Sequence, residues 1–456
     1  MNTIWFPDLT NTSVPKYQII VDAIRSGISN GQLEEGEKLP PVREVAWHLG
    51  ITPGTVARAF SQLVDAGVLE ATVGRGTFVA KQRAVAQVQD WPEVVSLKSP
   101  KLPDVGQIEA VRSALRKISH MQDGLLMGYP NAKTDLPARE AVLEWSAGKL
   151  LGRTTPDDVV LTYGGQNAIT LILQTVLKGA APVVLAEDLT YAGFRHAARL
   201  QRAKIVGLAS DEYGVRPGAL DAACRAHDAQ IFCTSPEVHN PTAHRTGLER
   251  RKALADVAQH HGVQILEDDC YALRDSDLPS YRALLPRQTW YVSSISKLLT
   301  PSLRLGYAIA PSPRAAELRR TAQYSFFGIA TPLTELTAEL LSSPNIADLN
   351  RAMQDQIAAL VQVAVNGLGS YDLRWRPDVP FLWLSLPNGW RAGSFCSAAE
   401  RAGVLIRSAD DFTLMEDRAP HAVRIAVNGQ VDIKCFEAAI GRLRGLLDKP
   451  PSEIEV

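Results

Sequence analysis

Tyr291-Val-Ser-Ser-Ile-Ser-Lys297-Leu-Leu-Thr-Pro-Ser-Leu-Arg304-Leu-Gly306 is the stretch on which the reading of this chain turns. It begins as an apolar, β-branched run of strand type and breaks into hydroxyls, one lysine and, seven residues later, one arginine. Ser294 and Ser296 can hydrogen-bond a phosphate, Lys297 offers a primary amine among apolar neighbours, and Arg304 adds a fixed positive charge. A single lysine after a strand is ordinarily a solvated surface residue, so its surroundings must decide its role.

Upstream of this run, strand-like segments alternate with helical ones: Val159–Tyr163, Val183–Ala186, Lys204–Leu208, Gln230–Thr234, Val263–Asp268 and Trp290–Ser294. Such alternation predicts a parallel sheet covered by helices, with ligands gathering at the carboxyl ends of the strands. The residues at those ends are polar. Asp268 closes one strand in Leu266-Glu-Asp-Asp-Cys-Tyr271, Asn240 stands in His239-Asn-Pro-Thr242, and Tyr191 ends Glu187-Asp-Leu-Thr-Tyr191. Gly164-Gly165-Gln166 joins a strand to a helix whose first amides attract anions. Each also has an ordinary reading as a cap, a turn, a core tyrosine or a connector.

Taken in order, these segments resemble fold-type-I pyridoxal-phosphate enzymes from about residue 94 to 447. The resemblance implies a Schiff base between pyridoxal 5'-phosphate and Lys297. Asp268 would hold the pyridine nitrogen, Tyr271 and Asn240 the phenolic oxygen, and Tyr191 would stack on the ring. Gly165, Gln166, Ser294, Ser296 and Arg304 would bind the phosphate. Tyr129 would reach the phosphate of a neighbouring subunit in a homodimer, and Arg424, in Ala422-Val-Arg-Ile-Ala-Val, would clamp the α-carboxylate of a substrate or effector. Three positions depart from the family pattern: Gly165 replaces a frequent serine, Thr134 a usual glycine, and Asp378-Val-Pro380 a common glycine pair.

The first eighty residues read differently. Apolar residues at Ile19, Ile20, Ala23, Ile24 and Ile28 mark a helix over Lys16–Asn30, a second runs from about Pro41 to Leu49, and a third follows Thr52 with Val56, Phe60, Leu63 and Val64 on one face. Thr52 suits the cap and Pro53 the first turn. Val68 to Val79 then forms two β-like runs around Gly74-Arg75-Gly76. A plain helical hairpin is the competing reading of the helices alone; the two β-like runs add a wing. The stretch Val14–Val79 resembles the winged helix-turn-helix of GntR-type bacterial repressors, which implies that Arg43, Thr52, Thr55 and Arg58 face DNA from the helices and Arg75 and Gly76 from the wing. Pro53-Gly54 stands where the family has polar, often basic residues, which leaves fewer side chains to read bases.

The predicted organisation is therefore a winged helix-turn-helix (1–80), a linker (81–105), an α/β fold-type-I large domain (106–340) and a smaller α+β C-terminal subdomain (341–456). This is the architecture of MocR-type transcriptional regulators, which the chain resembles along nearly its whole length. The expected partners are a double-stranded DNA operator and either pyridoxal phosphate itself or an amino-acid or amine effector that forms an aldimine with it. The alternative is an aminotransferase acting on an amino acid, with weak or partial-reaction activity. Bulk properties agree with a multidomain globular protein: 456 residues, 46% hydrophobic, net charge −1. Residues 1–80 carry six Lys/Arg against eight Asp/Glu, so DNA binding there rests on pattern and not on charge. The five cysteines have no paired spacing, no signal segment opens the chain and no apolar run is of spanning length; a cytoplasmic protein without metal or membrane partner is expected.

Overall fold

A computed structural model describes residues 15–34, 36–65, 68–72, 76–80, 94–312, 314–414 and 419–449. The chain separates into two units, Met1–Asp90 and Trp91–Val456.

In the first unit, helices Lys16–Ser29, Val42–His48 and Pro53–Asp65 enclose a core of Ile20, Ile24, Val45, Val56, Phe60 and Leu63. The amphipathic spacing read from the sequence places those of the first and third helices inward, and Val45 of the second joins them. Strands Leu69–Thr72 and Gly76–Val79 pair antiparallel, Leu69 opposite Val79, and both end residues join the helical core. Three helices and a two-stranded wing result.

The second unit is built on a seven-stranded sheet in the order Val159–Thr162, Gly306–Ile309, Thr289–Ser294, Gln264–Asp268, Ala229–Thr234, Val183–Glu187, Lys204–Leu208. The last five of these run parallel to one another. Gly306–Ile309 is antiparallel to both its neighbours and was not among the six runs expected. It follows a connection too short for the crossover a parallel strand needs, so the chain turns back beside Thr289–Ser294. Strands such as Val159–Thr162 and Val183–Glu187 are buried throughout, as a sheet covered on both faces requires.

A second core belongs to the C-terminal subdomain. Its antiparallel sheet runs Leu373–Arg374, Phe381–Ser385, Ala422–Ala426, Arg407–Ser408, and helices Ile346–Leu368, Ala392–Arg401 and Ile433–Leu447 cover it. The stretch read as a linker divides here. Residues 81–93 lie outside the described residues, whereas Val95–Ser96 pairs parallel with Val404–Leu405, and Val95, Leu97 and Leu102 are buried among Phe395, Ile425 and Phe436. Residues 94–105 are thus part of this subdomain's fold: the apolar side chains of an aperiodic segment fill a core made 300 residues later in the chain. Among the described residues no helix is long and apolar enough to cross a membrane.

Candidate functional site

The carboxyl ends of the large-sheet strands open onto a cleft of about 160 Å³. It is lined by Gly165, Gln166, Tyr191, Asn240, Asp268, Tyr271, Ser294, Ser296, Lys297 and Arg304, together with Ile169, Cys270 and Pro301. Ten residues singled out in the sequence over an interval of 140 positions are therefore brought together, for the reason that parallel strands deliver all their following loops to one edge.

Lys297 ends a short 3₁₀ turn, Ile295–Lys297, capped by Ser294, whose hydroxyl accepts from the Ser296 amide at 3.1 Å. The two serine hydroxyls lie 2.9 Å apart. The single Ser294 proton has two acceptors at 2.9 Å, Ser296 Oγ and the Leu305 carbonyl; when it goes to Ser296, the Ser296 proton is left for an anion. The Lys297 ammonium sits 4.9 Å from the centre of the Tyr271 ring. Asp268, the last residue of its strand, accepts from the Cys270 amide at 3.1 Å. Burial raises its carboxyl above the usual range, while hydrogen bonding from Cys270 and the charge of Lys297 pull it back. An anionic Asp268 is thus favoured by a positive group placed in the cleft.

The anion end is equally specific. Helix Gly165–Val176 starts after Gly164 at φ +83°, a backbone state suited to glycine, and its first amides have no acceptor within the helix. A side chain at Gly164 would stand 3.0 Å from the Arg304 guanidinium. Arg304 itself holds a left-handed conformation, φ 49°, unusual for a non-glycine residue and a mark of a positioned group. Cys270, in the sequence one cysteine among five, lines the cleft, and a Cβ added at Gly165 would meet its sulfur at 2.5 Å. The position that lacks the family's serine is filled from the other side by this thiol. Its place between Asp268 and Tyr271 was the available signal.

Two expected residues stand apart from the cleft. Arg424 is 3% exposed on an interior strand and donates to Asn240 Oδ1 at 2.6 Å and to the Lys98 carbonyl at 2.7 Å. Asn240 is thereby held by its oxygen, with its amide hydrogens left for the cleft it lines. Burial lowers the Arg424 guanidinium to about 10. Tyr129 is 82% exposed, its ring 6.0 Å from that of Phe327. Thr134 closes a hydroxyl turn with Asn131, and Asp378 is held by Arg376 at 2.6 Å, so the departures at both places form local hydrogen-bonded structure.

In the first unit the expected DNA-facing residues are mostly exposed. Arg43 lies open on its helix; Arg58 is exposed with its guanidinium 4.2 Å over the Tyr17 ring. The hydroxyls of Thr52 and half-buried Thr55 meet each other at 3.0 Å. Gly76, at φ +120°, has the Lys38 side chain 2.7 Å from where a Cβ would stand. Arg75 lies outside the described residues. Among the described residues no three or more His, Cys, Asp or Glu are grouped to hold a metal.

Comparison with known proteins gives two family matches: aminotransferase class I and II over residues 92–443, and bacterial regulatory proteins, gntR family, over 16–79. The chain is 28% identical over 453 residues to the uncharacterized HTH-type transcriptional regulator YdeF of Bacillus subtilis, covering 97% of each chain. It is 27% identical over 420 residues to the vitamin B6 salvage pathway transcriptional repressor PtsJ of Salmonella typhimurium, covering 90% of this chain and 93% of that one. In fold it is similar to an archaeal alanine:glyoxylate aminotransferase, with a TM-score of 0.70 at 20% identity over 90% of this chain and 96% of that one.

Proposed function

The chain belongs to the class I and II aminotransferase family, carried behind a gntR-type winged helix-turn-helix in the MocR-type arrangement, and from that premise we propose a DNA-binding transcriptional regulator responsive to pyridoxal 5'-phosphate. The observation that carries this reading is the convergence of Asp268, Lys297, Arg304 and an open helix N-terminus in one cleft of a chain that also has a winged helix.

The residues present fit the cofactor. A buried carboxyl at Asp268 suits the pyridine nitrogen, Tyr271 and the Asn240 amide are donors for the phenolic oxygen, and Tyr191 offers a ring to stack. The amides of Gly165 and Gln166, the Ser296 hydroxyl and Arg304 form a donor set for a phosphate dianion. When bound, the cofactor supplies an aldehyde for a primary amine and an electron-withdrawing ring. Lys297 presents the amine, and Asp268 holds a proton at the nitrogen. Arg424, held against Asn240, is the group for an effector's α-carboxylate.

Exposed apolar side chains, among them Tyr129 beside Phe327 and also Met127 and Tyr324, with Met127, Tyr129 and Tyr324 79–88% exposed, support a homodimer that covers them. Two winged helices would then meet two operator half-sites, which offsets the low charge of each. Occupancy of the cleft would set the balance between dimer states that differ in DNA affinity.

Gel-shift titration of the protein's own upstream region with and without pyridoxal phosphate tests the proposal. Expected are sequence-preferring binding whose midpoint moves with the cofactor, and loss of that response together with the visible absorbance in Lys297→Ala. Binding indifferent to sequence and cofactor would overturn it. A second reading, an aminotransferase, is favoured by the pairing of Lys297 with a buried Arg424; repeated turnover of amino and keto acids, followed by absorbance, would establish it in place of the first.

A further inference from the structure

Arg424 has a counterpart that no sequence motif marks. Strand Ala422–Ala426 pairs antiparallel with Arg407–Ser408, and the register sets Arg407 directly opposite Arg424. Directly opposed residues share a face of the sheet, with Cβ atoms about 4.5–5.5 Å apart. The alternate residues Val423 and Ile425 fill the subdomain core, so both arginines lie on the other face, the one from which Arg424 reaches Asn240 of the cleft. The two guanidinium groups flank one ring, that of Phe412, at 4.7 Å for Arg424 and 6.0 Å for Arg407.

Like charges placed opposite each other on a sheet are unfavourable. Arg407 contributes, after burial, to the lowering of Arg424. Among the described residues little offsets them. Arg424 donates to two neutral oxygens, and the carboxylate at Arg407 is Asp411, 3.9 Å away and half exposed, a separation and setting in which an ion pair contributes little. The Nε of each arginine is buried without a partner. Buried donors and paired positive charges of this kind are stabilised by an anion that brings two negative groups.

We infer that the effector is an α-amino acid with a second acidic group, its α-carboxylate bound by Arg424 and its side-chain carboxylate by Arg407. This rests on the reading of the cleft as a pyridoxal-phosphate site. Two cations on neighbouring strands suit two carboxylates separated by a few carbon atoms, and an uncharged side chain would leave Arg407 as it is now. Arg407 thus sets ligand preference.

The test uses the full-length protein loaded with pyridoxal phosphate, titrated with L-glutamate against L-glutamine and L-aspartate against L-asparagine. Binding is followed by calorimetry and by the visible absorbance of the cofactor. Each acid is expected to bind about tenfold or more tightly than its amide, the scale of one charge-assisted contact. Arg407→Gln should bring the two toward parity, and Arg407→Lys should keep much of the preference, which a merely structural role would not. The amide is the internal control for a folded site in each variant. Equal affinity within both pairs in the unaltered protein, or a preference that persists in Arg407→Gln, overturns the inference. Failure to acquire the cofactor's absorbance overturns the underlying reading as well, whereas loading without discrimination removes only the effector class.

Discussion

The cleft of the second unit and the surface of the first that we propose faces DNA are built on opposite plans. In and beside the cleft, functional groups from segments far apart in sequence are buried or half-buried and act on one another: Gly165 lies against Cys270, the charge of Lys297 acts on Asp268, and Arg424, beside the cleft, holds Asn240. On the winged helix, Arg43 and Arg58 are exposed, and the partner of Arg58 is a tyrosine of the same small unit. The difference is one of coupling. Buried neighbours share a fixed volume and a low dielectric, so altering one changes what the other can do, while exposed cations act on phosphate one by one.

The strongest way to break this contrast is at Gly165. Restoring serine there puts a Cβ 2.5 Å from the Cys270 sulfur and is expected to cost about 1–3 kcal/mol, seen as a lower denaturation midpoint and weaker cofactor loading. Cys270→Ala should recover most of that loss in the double variant; strictly additive effects would mean that the two positions do not share space.

A smaller effect tests the low dielectric behind the cleft. Burial pushes the Glu267 carboxyl, on the same strand as Asp268, up to about 8. The folded chain therefore keeps a proton that the unfolded chain releases in the ordinary carboxylate range, near 4.5, and stability falls as pH rises from there to about 8. One group contributes at most roughly 1.4 kcal/mol per pH unit to this slope. Glu267→Gln should flatten it, as measured by denaturant midpoints between pH 5 and 8; an unchanged slope would place the proton elsewhere, on Glu187 or Asp269, which are both pushed up to about 7.

The smallest effects are expected on the winged helix. Arg43→Ala and Arg58→Ala should each lower the slope of log affinity against log salt by about 0.9 for every phosphate no longer neutralised, and the double variant by the sum. A larger than additive drop for Arg58→Ala would show that its stacking on Tyr17 also supports the fold.

The run from Ser294 to Arg304 was legible because its hydroxyls, amine and guanidinium are positioned by one continuous stretch of backbone; the 3₁₀ turn that presents Lys297 is capped by Ser294 and tied to Leu305 just past the end of the same run. The same holds for the wing, where a short apolar run folds back on the next. Asp268, Asn240 and Tyr191 were legible for a related reason, since strand ends in a parallel sheet share one edge whatever their separation. Cys270 was marked only by its place between Asp268 and Tyr271, which does not show that its thiol fills the space of a missing hydroxyl, and nothing local marks Arg407, an arginine whose register partner is another arginine.

By itself, then, the sequence determined the two kinds of domain, six strand runs of the large sheet and ten of the residues that line the cleft, because periodicity and turn chemistry act within a few residues. Only the tertiary structure decided that residues 94–105 belong to the C-terminal core, that Gly306–Ile309 enters the sheet antiparallel, and that Gly165 faces Cys270 and Arg407 faces Arg424. These depend on sheet register and on which side chains compete for one volume, and such quantities exist only once distant segments have packed.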